Sequence, residues 1–245
     1  MRMIAFAKRT LKEILRDPLT LIFGLGFPGV LILLLSAIQA NIPVSLFEID
    51  KLVPGMTIFG LSFMTLFSAT LIAKDRESAF LTRLYATPMR GLDFILGYTL
   101  PILPVAIAQS MFCFMIGLAL GMKPTINILY AILFIIPISL FFIGLGLLFG
   151  SILNQKQTGG ICGALLTNLT AWLSGIWFDL ELVGGAFKAI ANALPFYHGV
   201  QLEQMVFSGA FASITPHLLW IAGYAFVSIA LAVILFLRQM KHGGK

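Results

Sequence analysis

Charged residues divide this 245-residue chain into long uncharged stretches at 18–47, 52–73, 94–122, 124–155, 157–178 and 204–237. Each is at least as long as the roughly 20 residues an α-helix needs to cross bilayer hydrocarbon. They predict six spanning helices near 18–38, 53–73, 94–120, 126–150, 158–178 and 214–237. The expected fold is an all-α polytopic membrane protein, with 18–245 as its transmembrane domain. A seventh uncharged run, 189–202, is too short to span and is interrupted by Pro195, His198 and Gly199. It is expected to form part of a re-entrant outer region at 178–213, between the fifth and sixth spans.

Two segments between the apolar runs carry a helical period of their own. On a wheel, residues 1–17 place Ile4, Ala7, Leu11, Ile14 and Leu15 on one side and Arg2, Arg9, Lys12, Glu13 and Arg16 on the other. This predicts an amphipathic interfacial helix, ended by Asp17-Pro18, where the first span starts. The alternative is a solvated positive flank that only fixes topology. The stretch "KDRESAFLTRLYATPMRG" puts Phe80, Leu81, Leu84 and Tyr85 together, opposite Asp75, Arg76, Thr82 and Arg83. It predicts a second amphipathic helix within 74–90, stopping at Thr87-Pro88. An ordinary inter-helix loop needs only a few polar residues, so this one presents a surface to a partner or rests on headgroups.

Composition agrees with the pattern. Hydrophobic residues make up 59% of the chain and charged ones 11%, whereas soluble domains carry about 25% charged residues. With the N-terminus inside, the segments facing the cytoplasm hold thirteen Lys and Arg and the outer loops only Lys51, Lys123 and Lys188. Positive residues near span ends stay on the cytoplasmic side, which predicts a multi-pass protein of the plasma (inner) membrane with both termini cytoplasmic. The net charge of +6 is thus a topology signal. The cations are split among membrane flanks, and no nucleic-acid platform is expected. Charged residues follow Met1 up to Asp17 and the first apolar run is long, so no cleaved leader is expected.

Candidate chemistry is sparse. There is no Gly-x-x-x-x-Gly-Lys-Ser/Thr loop, no His-Glu-x-x-His and no Gly-x-Ser-x-Gly, so neither an ATPase nor an intramembrane hydrolase is expected on this chain. Cys113 and Cys162 fall inside predicted spans and lack disulfide or metal-ligand patterning; no catalytic or metal-binding residue is assigned. His198 and His217 are expected to be hydrogen-bonded structural residues. The triplet at Asn168 lies inside a predicted span, out of reach of glycosylation. Gly146-x-x-x-Gly150 and Gly159-x-x-x-Gly163 are candidates for close helix packing. Polar residues within the spans are neutral, and the ionisable candidate, Asp93, sits at a span edge. An ion or proton path usually shows an ionisable group at depth, so a larger apolar or amphipathic cargo is favoured. Phe59, Phe63, Phe67 and Asn168 are candidates to line its path, although a phenylalanine stripe is also what lipid-facing or core packing looks like.

The chain resembles the permeases of type-2 ATP-binding-cassette exporters, in their drug-exporter-like branch. The resemblance rests on "DRESAFLTRLYATPMRGLDFILG" after the second span, "KRTLKEILRDPLTLIFGLGFP" into the first, "VPGM" opening the second, "LSGIWF" ending the fifth and "ALPFYHGVQLEQ" before the sixth. Two departures are Ala79-Phe80-Leu81-Thr82 where many relatives have Gly-Thr-Leu-Glu, and Asp179 where an apolar residue or proline is common. The resemblance implies that residues 74–90 are a coupling helix seated in a groove of an ATPase subunit. An apolar anchor of Phe80, Leu84 and Tyr85 and a charged rim of Asp75, Arg76, Glu77 and Arg83 for orientation suit such docking, and Thr87 and Pro88, where the helix stops, complete the assigned interface. It further implies ATP-binding-cassette ATPase subunits as partners, a second permease copy or a sister permease, and ATP with magnesium held by the partner chains, no cofactor being bound by this one. The expected function is outward transport of a drug, peptide, lipid or glycan. A non-transporting membrane scaffold that recruits a partner through residues 74–90 is the alternative.

Overall fold

The computed structural model describes residues 2–78, 80 and 90–243, which form helices joined by short turns, with no strand among the described residues. Helix α1 (Arg2–Leu15) ends at Arg16-Asp17, and α2 (Pro18–Leu21) leads through a π-helical turn (Ile22–Gly26) into α3 (Phe27–Gln39). Then follow α4 (Ile49–Glu77), α5 (Gly91–Ala119) and α6 (Asn127–Ile152). After these come α7 (Gln155–Thr158), a second π-helical segment (Gly159–Leu166) and α8 (Thr167–Leu173). The chain closes with α9 (Leu180–Val183), α10 (Gly185–Ala193), α11 (Pro195–Ser208), a 3-10 turn (Phe211–Ser213) and α12 (Thr215–Gly243).

Among the described residues, five helices are long and apolar enough to cross a membrane: Ile22–Gln39, Ile49–Glu77, Gly91–Ala119, Asn127–Ile152 and Thr215–Gln239. The predicted span at 158–178 differs. Its helix begins at Gln155, passes through the π-helical segment and stops at Leu173, beyond which Gly175 takes a left-handed turn (φ 77°). Gly159, Gly160 and Gly163 weaken α-helix propensity here. The Thr167 hydroxyl donates to the Cys162 carbonyl five residues back (3.2 Å), a spacing that suits the wider π turn.

Helix α4 is the hub of the fold. Of its most apolar window, 83% is buried inside the molecule, against α3, α5, α6 and α11. Its closest neighbour, α6, approaches through Gly146 and Gly150. A Cβ on Gly146 would fall 1.7 Å from Ser68 Oγ, and one on Gly150 2.7 Å from the Ala69 carbonyl oxygen. The Thr65 hydroxyl donates across the same seam to the Phe142 carbonyl (2.8 Å), a common cross-link where helix backbones approach closely. Gly159 of the second small-residue pair has nothing beside it, and Gly163 faces only Leu66.

The N-terminal helix forms as the sequence predicts, but with a different inner face. Its buried residues are Phe6, Thr10 and Ile14, one helical row, whereas Ile4 and Leu15 stay exposed. Phe6 lies edge-on to Tyr98 (4.9 Å, 83°) in a notch on α5 that a Cβ at Gly97 would fill. Arg9, expected on the outer face, turns inward. The wheel ranked residues by polarity, and the inward turn depends on a partner 66 positions away.

A second difference concerns the start of the predicted amphipathic helix at 74. Residues 74–77 are the last turn of α4, which runs straight on to Glu77. Positions 81–89, hence Arg83, Leu84, Tyr85, Thr87 and Pro88, lie outside the described residues.

The segment expected to be re-entrant, 178–213, consists largely of short helices. Leu194 is extended, and Pro195 opens α11 at a position where its missing N–H costs nothing. His198 and Gly199 lie within that helix instead of interrupting it. Helix α11 packs against α4, α6 and α12 through Val200, Leu202 and Val206, all fully buried.

Candidate functional site

The run Asp75-Arg76-Glu77 ends α4, and each side chain ties a different element to it. Asp75 is buried, with 1% of its surface exposed. It accepts a two-pronged bond from the Arg9 guanidinium of α1 (2.5 and 2.6 Å) and a third from the Tyr98 hydroxyl of α5 (2.7 Å). This planar two-bond geometry is the strong form of a charge-assisted pair. Arg9 also pairs with Glu13 (2.9 Å), which reaches Lys74 (2.7 Å), and its guanidinium carbon sits 4.2 Å over the Phe80 ring.

Arg76 and Glu77 complement two facing helix ends. Arg76 donates to the carbonyls of Ser151 and Leu153 (2.6 Å for the latter), so a cation meets the negative C-terminus of α6. Glu77 accepts from the backbone N–H of Gln155 (2.8 Å), so an anion meets the positive N-terminus of α7. Helices α1, α5, α6 and α7 therefore converge on one turn of α4. Of the residues assigned from sequence to the coupling segment, Asp75, Arg76, Glu77 and Phe80 are engaged within this chain. The remaining five are the ones outside the described residues.

The proposed path residues separate into two places. Phe59, Phe63 and Asn168 line one groove of about 640 Å³ between α3, α4 and α8, together with Phe27, Thr167 and Trp177. Its aromatic wall is built edge to face: Phe59 on Phe63 (6.0 Å, 89°), Phe27 on Phe63 (5.8 Å, 77°) and Trp177 on Phe59 (6.2 Å, 76°). Such pairs stabilise each other beyond area burial. The Asn168 amide donates to the Ala164 carbonyl (2.8 Å). Both π-helical segments flank this groove, with Phe23 in one and Gly163 in the other; π turns recur at functional sites. Phe67, one turn further along α4, faces a different cavity.

Two features were not legible in sequence. His198 and His217 face each other Nδ1 to Nδ1 at 2.8 Å, while His198 Nε2 lies 2.8 Å from the Asn192 carbonyl. That carbonyl requires His198 to donate from Nε2, so His217 donates at the shared contact. His198 also stacks on Trp220 (5.0 Å, 6°), and burial lowers its pKa against a smaller opposing effect from the Asn192 carbonyl. Glu203 of α11 is fully buried, with no hydrogen-bond partner for either carboxyl oxygen among the described residues. Burial raises its pKa well above the ordinary range. Both depend on distant chain segments meeting, which a charge pattern does not record. No group of three metal-ligating side chains occurs among the described residues.

A family model described as "ABC-2 type transporter" matches residues 1–208. No curated protein and no solved structure matches the chain.

Proposed function

The chain belongs to the ABC-2 type transporter family, and on that footing we propose that it is the membrane permease of an export pump powered by ATP hydrolysis on separate chains. The cargo is apolar or amphipathic and moves outward. The observation that carries this reading is the convergence of α1, α5, α6 and α7 on Asp75-Arg76-Glu77, directly before residues 78–90. An ATPase that engages the segment after this turn acts on four neighbouring helices through one set of short polar contacts.

Under this proposal the helix from Gln155 to Leu173 is a further span, giving six. Its 19 residues are close to the roughly 20 a spanning helix needs. The termini face the cytoplasm of the inner membrane. The pump contains two such permeases, alike or paired with a sister chain, and two ATPase subunits that hold ATP and magnesium. Helices α9, α10 and α11 cap the outer end, and the aromatic groove beside Phe59, Phe63 and Asn168 receives the cargo.

The test is the pair Leu84→Ala with Tyr85→Ala, which truncates the apolar anchor of the coupling segment. Interface hot spots of this kind cost about 2–4 kcal/mol. The variant should insert normally, co-purify poorly with its ATPase and accumulate no labelled cargo in inverted vesicles with ATP. Normal retention together with normal transport would overturn the coupling assignment. ATPase retention and loss on truncation without ATP-dependent uptake in the wild type would favour the scaffold.

A further inference from the structure

A cavity of about 1050 Å³ lies between α1, the lower part of α4 and α7. Its inner wall is apolar, formed by Ile14, Leu66, Phe67 and Leu71. Its lining carries five cations against Glu13 and Asp17. Two of the cations are satisfied within the fold: Arg9 by Asp75 and Glu13, and Lys74 by Glu13.

Lys8, Lys12 and Arg16 are different. They are exposed, form no ion pair among the described residues and stand four positions apart, so they share one side of α1 and its end. Like charges at that spacing repel. Retention on the cytoplasmic side asks only that positive charge lie near a span; it does not ask for the charges to line up over an apolar cavity.

An anion with a hydrocarbon tail complements both halves. A phosphodiester at the mouth accepts charge-assisted hydrogen bonds from several of the three cations, and an acyl chain covers Leu66, Phe67 and Leu71. The depth is right, since α1 leaves apolar Ile4 and Leu15 exposed, as an interfacial helix does, and Pro18 begins the first apolar helix directly below. We propose that this cavity binds one anionic phospholipid, its phosphate held by Lys8, Lys12 and Arg16 and an acyl chain lying along α4. The proposal does not depend on what the permease exports.

The test uses the full chain purified in a neutral detergent. Lipid retention is read by native mass spectrometry and thermal stabilisation by unfolding curves. Phosphatidylglycerol, phosphatidylcholine and glycerol 3-phosphate serve as the probes. Phosphatidylglycerol should bind in a one-to-one complex and raise the midpoint, at concentrations at least tenfold below those needed for either alternative. The variant Lys8→Gln/Lys12→Gln/Arg16→Gln should lose that advantage, while Lys123→Gln/Lys156→Gln/Lys241→Gln, with the same loss of charge elsewhere, should keep it.

Equal binding of phosphatidylcholine, equal protection by glycerol 3-phosphate, or equal loss in the two triple variants would each overturn the proposal. The wild-type comparison of the three probes decides the matter even if a variant fails to fold.

Discussion

The Arg9–Asp75 pair can be perturbed with a worked expectation. Asp75 has 1% of its side chain exposed and Arg9 37%, so the two ends of the pair are not equivalent. Changing Arg9→Met keeps an aliphatic stem of similar reach but leaves the buried carboxylate with only the Tyr98 hydroxyl. Removing one partner of a buried ion pair costs about 3–5 kcal/mol. The surviving hydroxyl bond and the partial exposure of Arg9 reduce this to about 2–3 kcal/mol. Changing Asp75→Asn is milder, about 1–2 kcal/mol, because the half-exposed guanidinium regains water. The double variant leaves no buried charge and should cost no more than Arg9→Met alone, so that a coupling energy of about 1–2 kcal/mol between the two sites offsets the Asp75→Asn cost. The cycle is measured by denaturant unfolding of the detergent-solubilised protein. Hydrogen exchange over residues 2–15 should rise most in Arg9→Met, because α1 would then be held chiefly by Phe6 and Ile14. Additive single effects, or Arg9→Met within about 0.5 kcal/mol of wild type, would refute the claim that this pair fastens α1 to α4.

Other consequences are simpler to state. Gly146→Val forces a side chain into the Ser68 hydroxyl and the Thr65 carbonyl; it should cost at least the 1–3 kcal/mol typical of overpacking and lower the yield of monodisperse protein, while Gly159→Val, with open space around it, should not. Glu203 has a folded-state pKa raised by burial, so it holds its proton where the unfolded chain has released it. Its effect on stability is therefore most favourable below the ordinary glutamate range. It worsens as pH rises towards the raised value, by up to about 1.4 kcal/mol per pH unit. Glu203→Gln should flatten this part of the stability profile above the ordinary glutamate range, and an unchanged slope would count against a neutral buried acid. Single cysteines at Ser78 and Lys245 should be shielded from an impermeant reagent added to intact cells, and labelling before lysis would reject the cytoplasmic placement of both.

Much of the architecture was legible because the bilayer constrains sequence so strongly. Uncharged runs marked four helices to within a few residues, and Asp17-Pro18 marked the entry to the first. Where the period rule failed, the cause was tertiary. Helix α4 extends past both predicted ends, since Asp50 and Lys51 are tolerated at its start, while Lys74, Asp75, Arg76 and Glu77 find partners on four other elements. A charged tetrad after an apolar run reads as a new amphipathic segment when those partners are unknown. The helix after Gln155 was placed in the right region, but its π turn depends on hydroxyl and glycine positions that hydropathy averages away. At the groove, sequence offered Phe59, Phe63, Phe67 and Asn168 as one set. The fold keeps three of them together and sends Phe67 to the neighbouring cavity, a division set by the course of α1 and α7 alongside α4.

That division bears on how the proposed pump works. The tetrad and the groove are carried by one helix: Phe59 lies sixteen residues before Asp75, roughly 24 Å along the axis. Between them α4 is buried on nearly all sides, and Ser62 and Ser68 return their hydroxyls to its own backbone, so no exposed or unpaired stretch offers a hinge. In the proposed pump, a displacement of its last turn would therefore carry along α4 to Phe59 and Phe63 of the aromatic wall.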